Sequence, residues 1–143
     1  MRFIQRRDRD ERGAAAVEFA LVMPILFLLV FGIVDFGVAI GRYAAVSNAA
    51  REGVRTASIG GKTADVRAAV NASIASSLPG SPPTVTVTCK TPTGTNCSTF
   101  DAGAVSGGTA IVEVRVTRNW ITPVGMAFSP NLNLRKTSQM RIE

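Results

Sequence analysis

The sequence predicts an α+β protein in which a long N-terminal helix crosses a membrane and continues into a small head with a second helix and a roughly three-stranded antiparallel sheet. Three observations support this prediction. Twelve of the sixteen residues from Phe19 to Val34 are Leu, Ile, Val or Phe, and none of the sixteen is charged. Apolar residues then recur at helical spacing as far as Val54. Further on, "TVTVTC" and "AIVEVRVTR" alternate in polarity as half-buried strands do.

The apolar stretch is long enough to span a bilayer. Its large apolar residues contribute roughly −0.3 to −0.6 kcal/mol each, about −5 kcal/mol together, to insertion. A helix over residues 14–40 would be about 40 Å long, which leaves room for tilt or for a kink at Pro24. The preceding segment carries five Arg and three acidic residues, so we expect residues 1–13 in the cytoplasm and residues 41–143 to form an exported head.

Glu18 is the unusual residue at the start of this helix, because it is the fifth residue after Gly13 in the stretch "RGAAAVEFALVMP". A charged leader that ends in Gly, followed by small apolar residues, an acid and Phe19, resembles the type III/IVc prepilin processing site. The longer stretch "RGAAAVEFALVMPILFLLVFGIVDFG" resembles specifically the TadE-like minor pilins, or pseudopilins, of tight-adherence (Tad) pilus systems.

This resemblance implies a pilin-like fold and a function. Prepilin peptidase would cut between Gly13 and Ala14 and remove the leader. Glu18 would then pair with the new amine of a neighbouring subunit. The chain would be an inner-membrane minor pilin of a bacterium, acting in assembly, priming or tip formation of an adhesive pilus. Its partners would be prepilin peptidase, other major and minor pilins, the inner-membrane assembly platform and membrane lipid.

Elementary physics makes the spacing of Ala14 and Glu18 meaningful. Cleavage would create a cationic amine at Ala14, and a residue four positions along a helix lies about 6 Å up the axis on nearly the same face. Opposite charges that pair in a low-dielectric environment offset each other's desolvation cost. A simpler interpretation is that Glu18 only favours the positive end of the helix dipole.

Two alternatives to the pilin interpretation remain open. The chain could be an uncleaved single-pass envelope protein whose exported head binds a ligand. It could also be a secreted factor released by signal peptidase after "AIG" at residues 39–41. Against the latter, the apolar region exceeds the usual ~7–15 residues and the helical pattern continues across the cut.

Small residues recur every fourth position beyond the span, at Gly37, Gly41, Ala45, Ala49, Gly53 and Ala57. Such a row drifts by about 40° per step and lets a crossing helix approach closely. We expect residues 45–57 to pack on the protein's own head, and Gly37 and Gly41 to contact another subunit. The helix should end at Gly60-Gly61. Asp35 is interpreted as marking the membrane boundary first and as a recognition residue second.

The head contains one more predicted helix, which Thr63 should cap, with an apolar stripe of Val66, Val70, Ile74 and Leu78. In the last strand, "LNLRKTSQMRI", Lys136 and Ser138 interrupt the apolar face. Cys89 and Cys97 flank a turn-rich loop and should form a disulfide if the head is exported. Trp120, Pro123, Met126 and Phe128 form an apolar patch that covers the core or, less favoured, meets a partner or the membrane.

Composition argues against several function classes. The chain has no His, which removes Ser-His and Cys-His nucleophile systems and the commonest zinc ligand. Its net charge of +6 is spread without a Lys/Arg run, so no nucleic-acid partner is expected. The sequence contains no catalytic constellation, so we expect a protein without catalytic residues, metal or cofactor.

Overall fold

The computed structural model describes residues 7–80 and 82–143, which form four helices and three strands. The helices are α1 (Arg7–Ser58), α2 (Thr63–Ala75), α3 (Phe100–Gly103) and α4 (Pro123–Phe128). The strands are β1 (Thr84–Lys90), β2 (Thr109–Arg118) and β3 (Leu132–Arg141), and they form one antiparallel sheet in the order β1-β2-β3. The predicted α+β fold class is confirmed.

Helix α1 is longer than predicted, because it already includes Arg7, the first residue described, instead of starting near Ala14, and it continues without interruption through Pro24. Its predicted end is confirmed. Gly60 takes a positive φ of 86°, which costs a glycine little, and the N–H of Gly61 donates to the carbonyl of Thr56 at 3.1 Å. The predicted leader, residues 1–13, therefore lies partly in α1, and residues 1–6 of it lie outside the described residues.

The core lies between the outer half of α1, helix α2 and one face of the sheet. Strand β2 is central, and its alternation is confirmed because Val112, Val114 and Val116 are buried. The predicted stripe of α2 is also buried, although the helix ends at Ala75 and Leu78 follows in a turn. On the outer face of the sheet, hydrogen bonds from Arg115 and then Arg135 hold the pKa of Glu113 below its ordinary value.

Lys136 faces α1 from strand β3. The structure explains why a lysine is tolerated on this otherwise apolar face, which the sequence did not explain. Strand β3 packs against α1, and Lys136 Nζ lies 6.0 Å from the centre of the Tyr43 ring. Tyr43 is 44% exposed, so this contact lies at the surface of the protein. The lysine stem can cover apolar surface while the ammonium reaches the ring face and water.

The prediction that Thr63 caps α2 is wrong. Thr63 is the first residue of the helix, and the N-cap position belongs to Lys62. The N–H of Lys62 donates to Asp65 Oδ2 at 2.9 Å, while both the N–H and the hydroxyl of Thr63 donate to Asp101 Oδ1, at 2.7 and 2.8 Å. The capping carboxylate thus comes from α3, 38 residues further along the chain.

Candidate functional site

The residues of the predicted processing site lie in the exposed first turns of α1. Gly13, Ala14 and Glu18 are all exposed, and a side chain added at Gly13 would meet nothing within 4 Å. Among the side chains that the structure describes, none forms a salt bridge with Glu18. This carboxylate is accessible, whereas cleavage at Gly13 and pairing with an amine stay predictions.

The segment that follows Glu18 presents an apolar surface. Ile25 and Leu21 are each 70% exposed, and Phe19 is 62% exposed. The helix over Gly13–Ser58 is long and apolar enough to cross a membrane. Its most apolar stretch of 18 residues has a mean hydropathy of 2.6, and the rest of the described chain buries none of that stretch. A single-pass membrane anchor is consistent with this surface.

The burial of Asp35 and its contacts with α4 were not predicted from the sequence. Its side chain is only 5% exposed, because α4 lies against α1 at this level. One oxygen, Oδ1, accepts hydrogen bonds from the backbone N–H groups of Ile121 at 3.2 Å and Thr122 at 3.1 Å. The other, Oδ2, accepts from the Thr122 hydroxyl and from the N–H of Gly125 at 3.0 Å.

The Asp35 carboxylate thereby caps the N-terminus of α4, where free N–H groups and the helix dipole favour an anion. Gly125 permits this approach, since a Cβ there would lie 2.5 Å from Asp35 Oδ2 and 2.7 Å from Trp120 Cγ. Asp35 is therefore an internal tether between α1 and α4, and its interpretation as a boundary or recognition residue is incomplete. The stretch "TPVG" does indicate a helix start with Pro in the first turn. The carboxylate that caps this start, Asp35, is 87 residues away from Thr122 in the sequence.

The predicted role of the Trp120 patch is also corrected. None of Trp120, Pro123, Met126 and Phe128 belongs to the hydrophobic core of the head. Trp120 is half-buried against Gly125, and its indole Nε1 has no hydrogen-bond partner among the described residues. Met126 and Phe128 remain 49% and 84% exposed. Just before Trp120, the carbonyl of Asn119 accepts a hydrogen bond from Arg42 Nη1 of α1 at 2.7 Å.

The row of small residues divides as predicted between two environments. Ala49, Gly53 and Ala57 are buried in the head, and a Cβ at Gly53 would lie 2.6 Å from Val70 Cγ2. Gly37 and Gly41 are exposed, with nothing within 4 Å of an added Cβ. The space beside this pair is open, and its use by another subunit stays a prediction.

Cys89 and Cys97 are joined by a disulfide, with Cα atoms 5.3 Å apart. The bond links the end of β1 to the loop before α3, and Cys89 is buried in the core. Nearby, the backbone N–H and hydroxyl of Thr63 lower the pKa of Asp101. The described residues contain no group of three or more candidate metal ligands.

Comparison with known families matches residues 13–55 to the model of the TadE-like protein family. Residues 13–55 are similar to this family. This confirms the resemblance stated from the sequence, and the matched range contains Gly13, Ala14, Glu18, Asp35 and the glycine pair at 37 and 41. The TadE-like segment ends before α2 begins, so the sheet and its loops lie outside it. Comparisons with curated proteins and with solved structures give no match.

Proposed function

We propose that this chain is a minor pilin of a Tad adhesive pilus, cleaved by prepilin peptidase between Gly13 and Ala14, which acts in assembly, priming or tip formation. The observation that carries the proposal is the TadE-like match over residues 13–55. It coincides with an exposed acid five residues after Gly13, at the base of an exposed apolar helix. This combination suits a subunit that waits in lipid and then moves into a bundle of similar helices.

This mechanism is supported by the observation that Glu18 forms no salt bridge with any of the described side chains. A carboxylate at the edge of the hydrocarbon is costly without a counter-charge. In the intact chain the nitrogen of Ala14 is a neutral amide, so pairing requires cleavage. Once freed, the amine of one subunit and the Glu18 carboxylate of its neighbour would neutralise each other and fix the axial step between subunits.

The action we propose is packing rather than catalysis, without an enzymatic activity of its own. The exposed apolar surface of α1 can exchange lipid neighbours for helical ones at little hydrophobic cost, because acyl chains and Leu side chains are similarly apolar. The open surface at Gly37 and Gly41 would allow close helix contact. We infer an inner-membrane location with a cytoplasmic N-terminus, an exported head, and other pilins and the assembly platform as partners.

Identification of the N-terminal residue in the membrane fraction tests the proposal. The protein is expressed with and without an active prepilin peptidase, purified from membranes and subjected to Edman sequencing and intact-mass measurement. Ala14 as the first residue, only when the peptidase is present, is the expected result. Met1 under both conditions would indicate an uncleaved envelope protein, whose head would then be examined for a ligand. Protein recovered from the soluble fraction or the medium with Arg42 as its first residue would indicate release by signal peptidase.

A further inference from the structure

Helix α4 and the residue before its cap expose apolar side chains that the head does not use. Phe128 is 84% exposed, Ile121 53% and Met126 49%. Residues 119–131 contain no Asp, Glu, Lys or Arg. A soluble head gains nothing from such a cluster, because exposed apolar area costs about 25 cal/mol per Å² relative to burial.

This apolar surface is continuous with that of the spanning helix. The hydrogen bonds from Ile121, Thr122 and Gly125 to Asp35 hold α4 beside the last apolar turns of the span. Between the two helices lies a cavity of about 270 Å³, lined by apolar side chains, by Gly32 and Gly125, and by Asp35. The apolar side chains are Leu28 and Phe36 of α1, Val124 and Phe128 of α4, and Trp120. The polar group between the two helices, the Asp35 carboxylate, is only 5% exposed and is engaged by hydrogen bonds. The exposed face that we place in lipid therefore extends from the apolar side chains of α1 to those of α4.

A cationic layer follows the apolar one. Arg42 and Arg118 line a groove of about 420 Å³ together with Val38 and Gly41. Arg42 is six residues beyond Phe36, which is about 9 Å along the helix axis. Apolar side chains followed by arginines over this distance match the order of acyl chains and phosphates in one leaflet, where arginines favour the phosphate level.

We propose that α4 is immersed in the bilayer leaflet on the side of the head, where Met126 and Phe128 contact acyl chains and Arg42 and Arg118 lie at the level of phospholipid phosphates. Asp35 then lies at the edge of the hydrocarbon. Its four hydrogen bonds from the α4 region replace those that water would otherwise make. The proposal rests on the membrane-spanning location of α1 given under the proposed function, and it is independent of cleavage.

Environment-sensitive probes on single thiols test the immersion. Both native cysteines are bonded to each other, so Phe128→Cys adds one thiol for the fluorophore NBD. Ile25→Cys, 70% exposed, is the control within the span. Ile59→Cys, 68% exposed, is the matched apolar control beyond the far end of α1, about 35 Å from Asp35. The full chain is reconstituted in vesicles of phosphatidylcholine and phosphatidylglycerol, with or without lipids that carry a nitroxide on the acyl chain.

We expect the probe at position 128 to emit at shorter wavelength than the probe at position 59. A nitroxide near the carbonyl end of the acyl chain should quench it most strongly, whereas a nitroxide near the chain end should quench the probe at position 25 most strongly. Adding Asp35→Ala to Phe128→Cys should shift the emission towards that of the water-exposed probe, because α4 loses its tether. Unchanged emission would overturn the role given to Asp35.

Other results separate the two proposals. Water-like emission at position 128 with hydrocarbon-like emission at position 25 would overturn the immersion of α4 and leave the membrane anchor intact. Water-like emission at both positions would overturn the anchor as well. Short-wavelength emission at position 128 that no lipid nitroxide quenches would mean that protein covers Phe128, which also overturns contact with lipid.

Discussion

Three carboxylates of this chain differ in the number of donors that surround them, and this difference indicates their roles. Asp35 accepts four hydrogen bonds from the region of α4, and Asp101 accepts two from Thr63. Glu18 has no salt-bridge partner among the described side chains. The first two are engaged within the fold. Glu18 is the one that remains accessible to a neighbouring subunit.

Replacement of Glu18 tests this availability. We expect Glu18→Ala to insert into membranes normally, because the apolar run that drives insertion is unchanged, but to be absent from pilus fractions. Glu18→Gln should behave like Glu18→Ala, since it keeps the size of the side chain and removes the charge. Immunoblots of membrane and sheared-pilus fractions provide the measurement. Normal recovery of both variants in pili would contradict a role for the charge.

Asp101 gives a pH prediction whose sign follows from its lowered pKa. A carboxyl whose pKa is lower in the folded state stabilises that state above its unfolded pKa, and the stabilisation disappears as the pH falls through the folded value. Asp101→Asn should therefore lower the melting temperature at neutral pH, and the difference from the parent protein should vanish in acid. Thermal scans in detergent across acidic and neutral pH measure it. A difference that is constant with pH would show that the charge of Asp101 is irrelevant.

At the scale of elements, α1 is one helix in three environments. The residues between Phe19 and Val34 are largely exposed, Asp35 is covered by α4, and the turns around Val46 to Ala57 are buried by α2 and the sheet. The row of small residues begins beyond Asp35, with Gly37 and Gly41 exposed and with Ala49, Gly53 and Ala57 buried in the head. Its individual members therefore serve different contacts even though their spacing is uniform.

Two glycine substitutions on this row should separate folding from association. Gly53→Leu should destabilise the head by about 1–3 kcal/mol or more, because its side chain would collide with Val70 and Val112. Gly41→Leu has open space and should gain roughly 1 kcal/mol of helix propensity. Denaturant unfolding in detergent measures both. We further expect Gly41→Leu to reduce co-purification with other pilins, and unimpaired co-purification would contradict the contact proposed there.

At the scale of the whole molecule, the chain combines a segment whose apolar surface faces outward with a head whose core residues face inward and whose exposed apolar cluster lies at α4. The head is small, and the bond between Cys89 and Cys97 holds the loop before α3 to the sheet. A disulfide in this place also depends on the compartment, because such bonds persist in oxidising environments and are rare in the cytosol.

The state of the two cysteines thus reports the location of the head. We expect protein purified without reductant to contain no thiol that reacts with a maleimide unless it is first reduced. Reduction should lower the free energy of unfolding by about 2–3 kcal/mol, the usual effect of opening a short loop. A Cys89→Ser, Cys97→Ser double variant is the control for alkylation. Fully reactive thiols in untreated protein would place the head in the cytoplasm.

The sequence by itself determined the features that depend on local periodicity and composition. These are the apolar helix, its end at Gly60-Gly61, the buried valines of β2, and the spacing from Gly13 to Glu18. Only the tertiary structure decided that Asp35 caps α4, that Asp101 rather than Thr63 completes the start of α2, and that Lys136 meets Tyr43. The physical reason is the same in each case. A buried carboxylate needs donors, a capped helix needs an acceptor and an inward-facing lysine needs a place for its ammonium. The partner lies 38 to 93 residues away, where no local pattern identifies it.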